Sequence, residues 1–223
     1  MSEAAQPADA HERRLPLTKE RVLTAAVAFA DEQGVDALSM RRLAKELGVE
    51  AMSLYNHVTN KDEILAGIID RATAEIELPE EPDWKASLRR GSISAKEVFL
   101  RHPWLARLMM SRQSGGPAGL RRAEWLLRTL REAGFSGDLT YHAYHILEAY
   151  LQGITSQHLG AHGGDQSLEE LARGFLRGLP AGQYEHLVEH VEQHLEPAET
   201  RSGGFELGLD LILDGLERLR ESR

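Results

Sequence analysis

Residues 37–65 read ALSMRRLAKELGVEAMSLYNHVTNKDEIL, and this stretch decides the fold. Ser39 is placed to cap a short helix, residues 40–47, that stops at Gly48, the residue best suited to a left-handed C-terminal turn. After Val49 and Glu50 a second short helix is expected over about 51–58. Asn60, with Glu63 three residues on, has the spacing of a capping box and opens a longer helix over about 61–76. Two short helices crossing steeply through a tight turn are what a DNA-reading helix-turn-helix requires. Leu43, Leu47, Val49, Leu54 and Val58 supply the small core between them, and Ala44 lets them approach closely. The outward face of the second helix is Ala51, Met52, Ser53, Tyr55, Asn56 and His57, groups of the kind that reach base edges and phosphates. Spacing alone leaves an ordinary helical hairpin open, in which Tyr55 and His57 merely pack and cap.

On the amino-terminal side, Thr18 starts a helix that Gly34 ends, with Val22, Leu23, Ala26, Phe29 and Ala30 at three- and four-residue steps on one face. Residues 1–15 read as a flexible tail. On the carboxyl side, ELPEEPDW (77–84) holds two prolines and a run of acids and marks the best domain boundary. Beyond it helical periods recur near 85–101, 104–111, 119–133, 139–158, 168–178, 182–196 and 204–221, separated by Gly and Pro. No strand-like alternation persists, and only 6 % of residues are aromatic, too few for a sheet protein. The expected fold is all-α: a three-helix helix-turn-helix domain over 16–78, then a larger helical domain over 79–223.

The 223 residues are 42 % apolar and 27 % charged, which suits a globular chain with a sizeable core. The absence of cysteine excludes disulfides, thiolate metal sites and cysteine nucleophiles. The first twenty residues lack an apolar signal core and no run of eighteen apolar residues occurs, so a soluble, cytoplasmic protein that does not enter membranes is expected. The formal charge of −9 excludes a protein whose whole surface coats nucleic acid, as an architectural DNA binder would need. It is unevenly spread, however. Residues 1–61 carry 8 Lys+Arg against 9 Asp+Glu, and residues 62–223 carry 18 against 26. The local basic patch is Arg41, Arg42, Lys45 and Lys61.

The pattern Val22-Leu23-x-x-Ala26, then Leu38-Ser39-Met40-Arg41-x-Leu43-Ala44, Leu47-Gly48-Val49, Leu54-Tyr55-x-His57-Val58-x-Asn60-Lys61 and Ile64-Leu65 resembles the TetR family of bacterial transcriptional repressors. FELGLDLILDGLE (205–217) looks like the last dimerisation helix of its tetracycline-repressor branch, as does 119–133 running into Gly134-Phe135. The resemblance implies a homodimer whose two reading heads meet a palindromic double-stranded operator. Tyr55, His57 and Lys61 match positions that bind backbone phosphates. Ser39, Met40 and Arg41 match the start of the helix that touches phosphate and the groove edge. Ala51, Met52, Ser53 and Asn56 occupy base-reading positions, where the two apolar residues suit thymine methyls. It further implies a small-molecule effector that shifts the reading heads away from the spacing of successive major grooves, about 34 Å. Helix 61–76 would be the transmitting element.

For the effector, segments 104–112, 119–130 and 139–158 carry large side chains with polar ends: Trp104, Leu108, Met109, Arg112, Trp125, Tyr141, His142, His145 and Gln152. Each apolar one is as readily plain core, and His142 and His145 as readily surface or dimer-seam residues. The tetracycline-binding member surrounds a magnesium-chelated drug with histidines and an acid. Glu77, Met109 and Gln157 stand at three such positions here and do not restore that set, so neither a magnesium–tetracycline inducer nor any cofactor is implied.

His186, His190 and His194 stand four apart, a spacing that metal ligands use. Tyr184, Leu187, Val188, Val191 and Leu195 form the apolar stripe of the same helix, which turns the histidines outward among glutamates, so no metal site is expected. A helical metal-dependent enzyme built on them is the alternative reading, but Glu-x-x-His pairs, nucleophile elbows and phosphate loops are all missing, and no catalytic residues are assigned. The dimer contacts are expected from helices near 139–158 and 204–221, the latter through Phe205, Leu209, Ile212, Leu213, Leu216 and Leu219.

Overall fold

A computed structural model describes residues 16–111, 116–162, 168–180, 182–195 and 203–222. Among these residues every regular element is helical: α1 (Lys19–Gln33), α2 (Met40–Leu47), α3 (Ala51–Leu54), α4 (Lys61–Thr73), α5 (Trp84–Arg101), α6 (Pro103–Ser111), α7 (Pro117–Glu132), α8 (Gly137–His162), α9 (Leu168–Gly178), α10 (Glu185–Glu192) and α11 (Gly204–Glu221). Two single 3-10 turns join them, Val35–Ala37 and Gln193–Leu195. The tail expected over 1–15 lies outside the described residues.

Local chemistry explains the amino-terminal elements. Thr18 accepts from Arg21 N and Ser39 from Arg42 N, each capping a helix as its spacing predicts. Asn60 Oδ1 accepts the Glu63 N–H at 2.9 Å, while Glu63 Oε2 accepts the Thr59 N–H at 2.7 Å, so the return bond of the capping box lands one residue earlier than expected. Three helices are shorter than their periodicity suggests. The second reading helix closes after Leu54, because Tyr55 N and His57 N turn back to carbonyls three residues behind. α4 ends at Thr73 for the same reason, at Glu75 N and Ile76 N. α10 tightens into a 3-10 turn at Gln193.

One continuous core links the elements. Val22, Ala26, Phe29 and Ala30 of α1 face Ile64, Leu65, Ile68, Ile69 and Ala72 of α4, all buried. That core continues through Leu88, Val98 and Phe99 of α5, Leu105 of α6, Leu126 and Leu130 of α7, and Ala143, Leu147 and Leu151 of α8, to Leu209 and Leu213 of α11. The acidic, proline-containing stretch before α5 is pinned rather than free. Ser94 Oγ accepts Glu77 N, Ser87 Oγ bridges Glu81 N and Pro79 O, and Trp125 Nε1 donates to Pro79 O at 2.8 Å. Salt bridges from Lys85 to Asp214 and Glu217, and from Arg89 to Asp210, hold α11 along α5. No helix among the described residues is long and apolar enough to cross a membrane.

Candidate DNA interface and effector domain

Gly48 sits in the left-handed region at φ 66°, ψ 34°, where its N–H and that of Val49 return to carbonyls at the end of α2. This turn sets α3 across α2, with Leu43, Ala44, Leu54 and Val58 buried between them. Leu47 and Val49 are half-buried at its edge. Met52, at 74 % exposure, and Tyr55, at 48 %, stand out of this small core together with exposed Asn56; Ala51, Ser53 and His57 are half-buried beside them. Large apolar and aromatic groups left this exposed on a short, tightly held helix form a contact surface.

The charges around that surface divide into tied and free. Arg42 donates to Ala37 O and Gln33 and lies over the Phe29 ring, so it braces the domain. Lys19 is bound to Glu63, and with the Thr59 N–H it holds that carboxyl down to a pKa of about 2. Arg41 and Lys45, four apart on the exposed side of α2, and half-buried Lys61 at the start of α4 have no carboxylate partner among the described residues. Many cations farther along the chain are paired: Arg90, Arg101, Arg107, Arg122 and Arg128 each hold an acid. Unpaired cations beside an exposed reading face are what a polyanion requires. Ser39 and Met40, at the start of α2, are half-buried on the same edge.

The residues expected around an effector do not converge on one site. Trp104 is buried with its Nε1 donating to Asp31 Oδ1 of α1 at 2.6 Å, and it lies beside His102 at the joint between α5 and α6. Trp125 is buried with Nε1 bound to Pro79 O, and its ring lies where any Cβ at Gly91 would be, 2.4 Å away. Leu108 is buried and lines a groove of about 470 Å³ with Lys61, Leu65 and Arg107, while Met109 is half-buried against the core. On α8 the inward stripe is Leu139, Ala143, Leu147 and Leu151, leaving Tyr141, His142 and His145 exposed on the single chain as an aromatic cluster; Tyr141 and His145 are 4.4 Å apart. Gln152 is half-buried. Arg112 lies outside the described residues, and of the tetracycline-site counterparts Glu77 and Gln157 are exposed.

Two polar constellations were not visible in the spacing. Arg122 of α7 and Glu148 of α8 make a bidentate pair at 2.6 and 3.0 Å with side chains only 9 % and 14 % exposed. Tyr144 lies close enough to feel it: burial first, and the Glu148 charge second, push its phenol pKa up. His102, itself buried, has Nδ1 2.8 Å from Asp31 of α1 and Nε2 3.4 Å from Glu75 beyond α4, and Arg101 also holds Glu75. The sequence signal there was only the break before Pro103.

Of the three spaced histidines, His186 is fully exposed near Glu189, and His190 meets His194 edge to face at 5.4 Å. The 3-10 turn at Gln193 carries His194 off the α-helical register, and among the described residues no three His, Asp or Glu side chains gather to hold a metal ion. The apolar stripe expected of α11 is largely used within the chain: Phe205, Leu209, Leu213 and Leu216 are buried, and Ile212 half-buried. Leu207, Leu211 and Leu219 remain exposed.

Comparison with known proteins agrees with this geometry. The family profile described as bacterial regulatory proteins, tetR family, matches residues 22–68, and that of the tetracyclin repressor-like C-terminal domain matches 78–220. The HTH-type transcriptional repressor DrrR1 of Streptomyces coeruleorubidus is 32 % identical over 218 residues, covering 93 % of this chain and 80 % of that protein. The tetracycline repressor protein class A from transposon 1721, of Escherichia coli, is 29 % identical and covers 92 % of each. The solved structure of apo ActR from Streptomyces coelicolor superposes with a TM-score of 0.76 at 32 % identity, covering 93 % of this chain and 98 % of that one. A second ActR structure, solved in complex with actinorhodin, has a TM-score of 0.75 at 33 % identity and covers 92 % of this chain and 99 % of its own. The chain belongs to the TetR family of bacterial transcriptional regulators, with a tetracycline-repressor-like carboxyl-terminal domain.

Proposed function

We propose that this protein is a ligand-responsive, sequence-specific DNA-binding transcriptional repressor that acts as a homodimer on a palindromic operator in the cytoplasm. The observation that carries the reading is the exposed Met52–Tyr55–Asn56 face of the helix-turn-helix, flanked by Arg41, Lys45 and Lys61, cations without a carboxylate partner among the described residues. Residues 16–78 serve as the reading head and 79–223 as the effector and dimerisation domain. Ala51, Met52, Ser53 and Asn56 face base edges; Ser39, Met40, Arg41, Tyr55, His57 and Lys61 hold the backbone. Its role is binding rather than catalysis.

The effector is a small molecule held among α6, α7 and α8. ActR, which has this fold, has been solved with actinorhodin bound. In this chain the indole N–H groups of Trp104 and Trp125 are already bound within the protein, so Leu108, Met109, Arg112 and Gln152 remain the contact candidates, with Tyr141, His142 and His145 at the outer face of α8. The exposed Leu207, Leu211 and Leu219 of α11, with Tyr141 and Ile146 of α8, form the dimer face.

The test is a gel shift on the DNA upstream of the protein's own gene. Tyr55→Ala with Lys61→Ala is expected to weaken binding at least tenfold, with Lys61→Ala alone reducing the salt slope by about one. Affinity unchanged in the double variant rejects the assignment.

A further inference from the structure

Helix α7 has at its N-cap a residue with no side chain to cap it. Gly116 occupies that position and Pro117 the first turn, so among the described residues no local side chain accepts the free N–H groups there. The acceptor comes from 48 residues away: Asp70, in the last turn of α4, takes the Ala118 N–H at 2.6 Å. A carboxylate at a helix N-terminus meets both a donor and the positive end of the helix dipole. The approach is close enough that a Cβ on residue 116 would lie 2.4 Å from Asp70 Oδ1, so glycine is what admits the carboxylate. A serine or aspartate at 116 would have capped α7 locally and left its start independent of α4.

The two helices belong to different halves of the chain. α4 is packed on α1, with Leu23 so near Gly67 that a Cβ there would lie 2.6 Å from it, and its first residue is Lys61 beside the reading face. α7 follows α6 by a few residues and carries Arg122 and Trp125 into the larger domain. A directional hydrogen bond breaks within about an ångström of displacement, whereas apolar side chains slide. We propose that Asp70 is the positioning residue through which a displacement at the start of α7 reaches α4 and the DNA-reading face. The output of this link rests on the proposed function; the link itself rests on geometry.

The test separates capping from coupling. The chain has no cysteine, so cysteines introduced at exposed Glu46 on α2 and Glu124 on α7 take spin labels cleanly, with labelled chains diluted in unlabelled protein. Three proteins are compared: the unaltered chain, Asp70→Ala, and Asp70→Ala with Gly116→Ser. The third removes the carboxylate but returns a local cap to α7. Once Asp70 is alanine only its Cβ, 3.0 Å from the new one, must give way slightly.

The expected result is a lowered melting midpoint in Asp70→Ala that recovers in the paired variant, while the label–label distance distribution stays broadened in both. Affinity for a duplex that the unaltered chain selects from a random pool falls at least about fivefold in both, the low end for coupling between sites. A narrow distribution in either variant, or undiminished duplex affinity in both, overturns the proposal. If the unaltered chain selects no duplex, the DNA reading fails, and the distance distributions still decide the role of Asp70.

Discussion

Trp104 at the start of α6 and Asp31 near the end of α1 are joined by an N–H···O bond of 2.6 Å that crosses from the larger helical domain to the reading head. His102 brings its Nδ1 to the same carboxylate oxygen at 2.8 Å, so Asp31 receives both residues that flank Pro103. Trp104, singled out for an effector as a large side chain with a polar end, thus also serves as a tie at this seam. With Asp70 on Ala118, the reading head is fastened at the start of α6 and again at the start of α7.

Trp104→Phe tests the tie, since it keeps an aromatic ring in the core and removes the donor. Hydrogen bonds to charged groups contribute more than neutral ones, but Asp31 keeps His102 and 28 % of its side-chain surface in water. The expected loss is about 1 kcal/mol, or roughly 2–4 °C in melting midpoint for a chain of this size. An unchanged midpoint by calorimetry would mean that the bond contributes nothing beyond packing.

The Arg122–Glu148 pair gives a larger and more diagnostic effect. Removing one partner leaves an uncompensated charge in a site where both side chains are nearly buried. Glu148→Ala is expected to cost about 3–5 kcal/mol, whereas Arg122→Met with Glu148→Leu is close to neutral. Urea unfolding of the three proteins checks both statements. A double variant as unstable as the single would show that the pair, and not the stranded charge, supplies the stability.

The contrast between these features marks what was legible. Thr18, Ser39, Gly48 and Asn60 satisfy backbone groups within three or four residues, so the spacing itself revealed their work and the reading head could be drawn from it. Asp31–Trp104, Asp70–Ala118 and Arg122–Glu148 span 73, 48 and 26 residues. A chain with 35 acids and 26 basic residues offers too many pairings for spacing to choose among. What stayed hidden on α8 has a different cause. Tyr141, His142 and His145 were grouped by side-chain type, while the four-residue stripe of Leu139, Ala143, Leu147 and Leu151 sets the phase of the helix and turns them outward.

Acid should weaken the reading head through Glu63. Its pKa is lowered from 4.5 to about 2, first by the bond from Lys19 and then by that from the Thr59 N–H. A depressed carboxyl pKa adds stability that is complete above about pH 4.5 and is lost as pH falls through about 2. The gap in melting midpoint between the unaltered chain and Glu63→Gln should therefore be widest near neutrality and close toward pH 2. Salt should narrow it too, because the Lys19 side chain is 55 % exposed. A gap that stays constant with pH would detach the effect from ionisation.

The proposed dimer face can be separated from the core on a single helix. Leu209 and Leu213 of α11 are 1 % exposed and pack within the chain, whereas Leu207 and Leu211, one turn apart, are 65 % and 63 % exposed. Burying such leucines against a second copy is favourable by the apolar area removed from water, and a stable interface needs on the order of 1,200–2,000 Å² in all. Leu207→Glu with Leu211→Glu puts like charges opposite one another across a twofold axis without opening a cavity, so each chain should keep its helical content. Sedimentation at micromolar concentration should then give a monomer, and duplex affinity should fall because two reading heads no longer bind as one. Leu213→Ala is the contrasting variant: it should cost about 2–5 kcal/mol of stability by cavity formation, and so lower the melting midpoint, and leave association intact while folded. If the glutamate pair still sediments as a dimer, the partner contact lies on another face, and the α8 cluster of Tyr141, His142 and His145 becomes the next surface to alter.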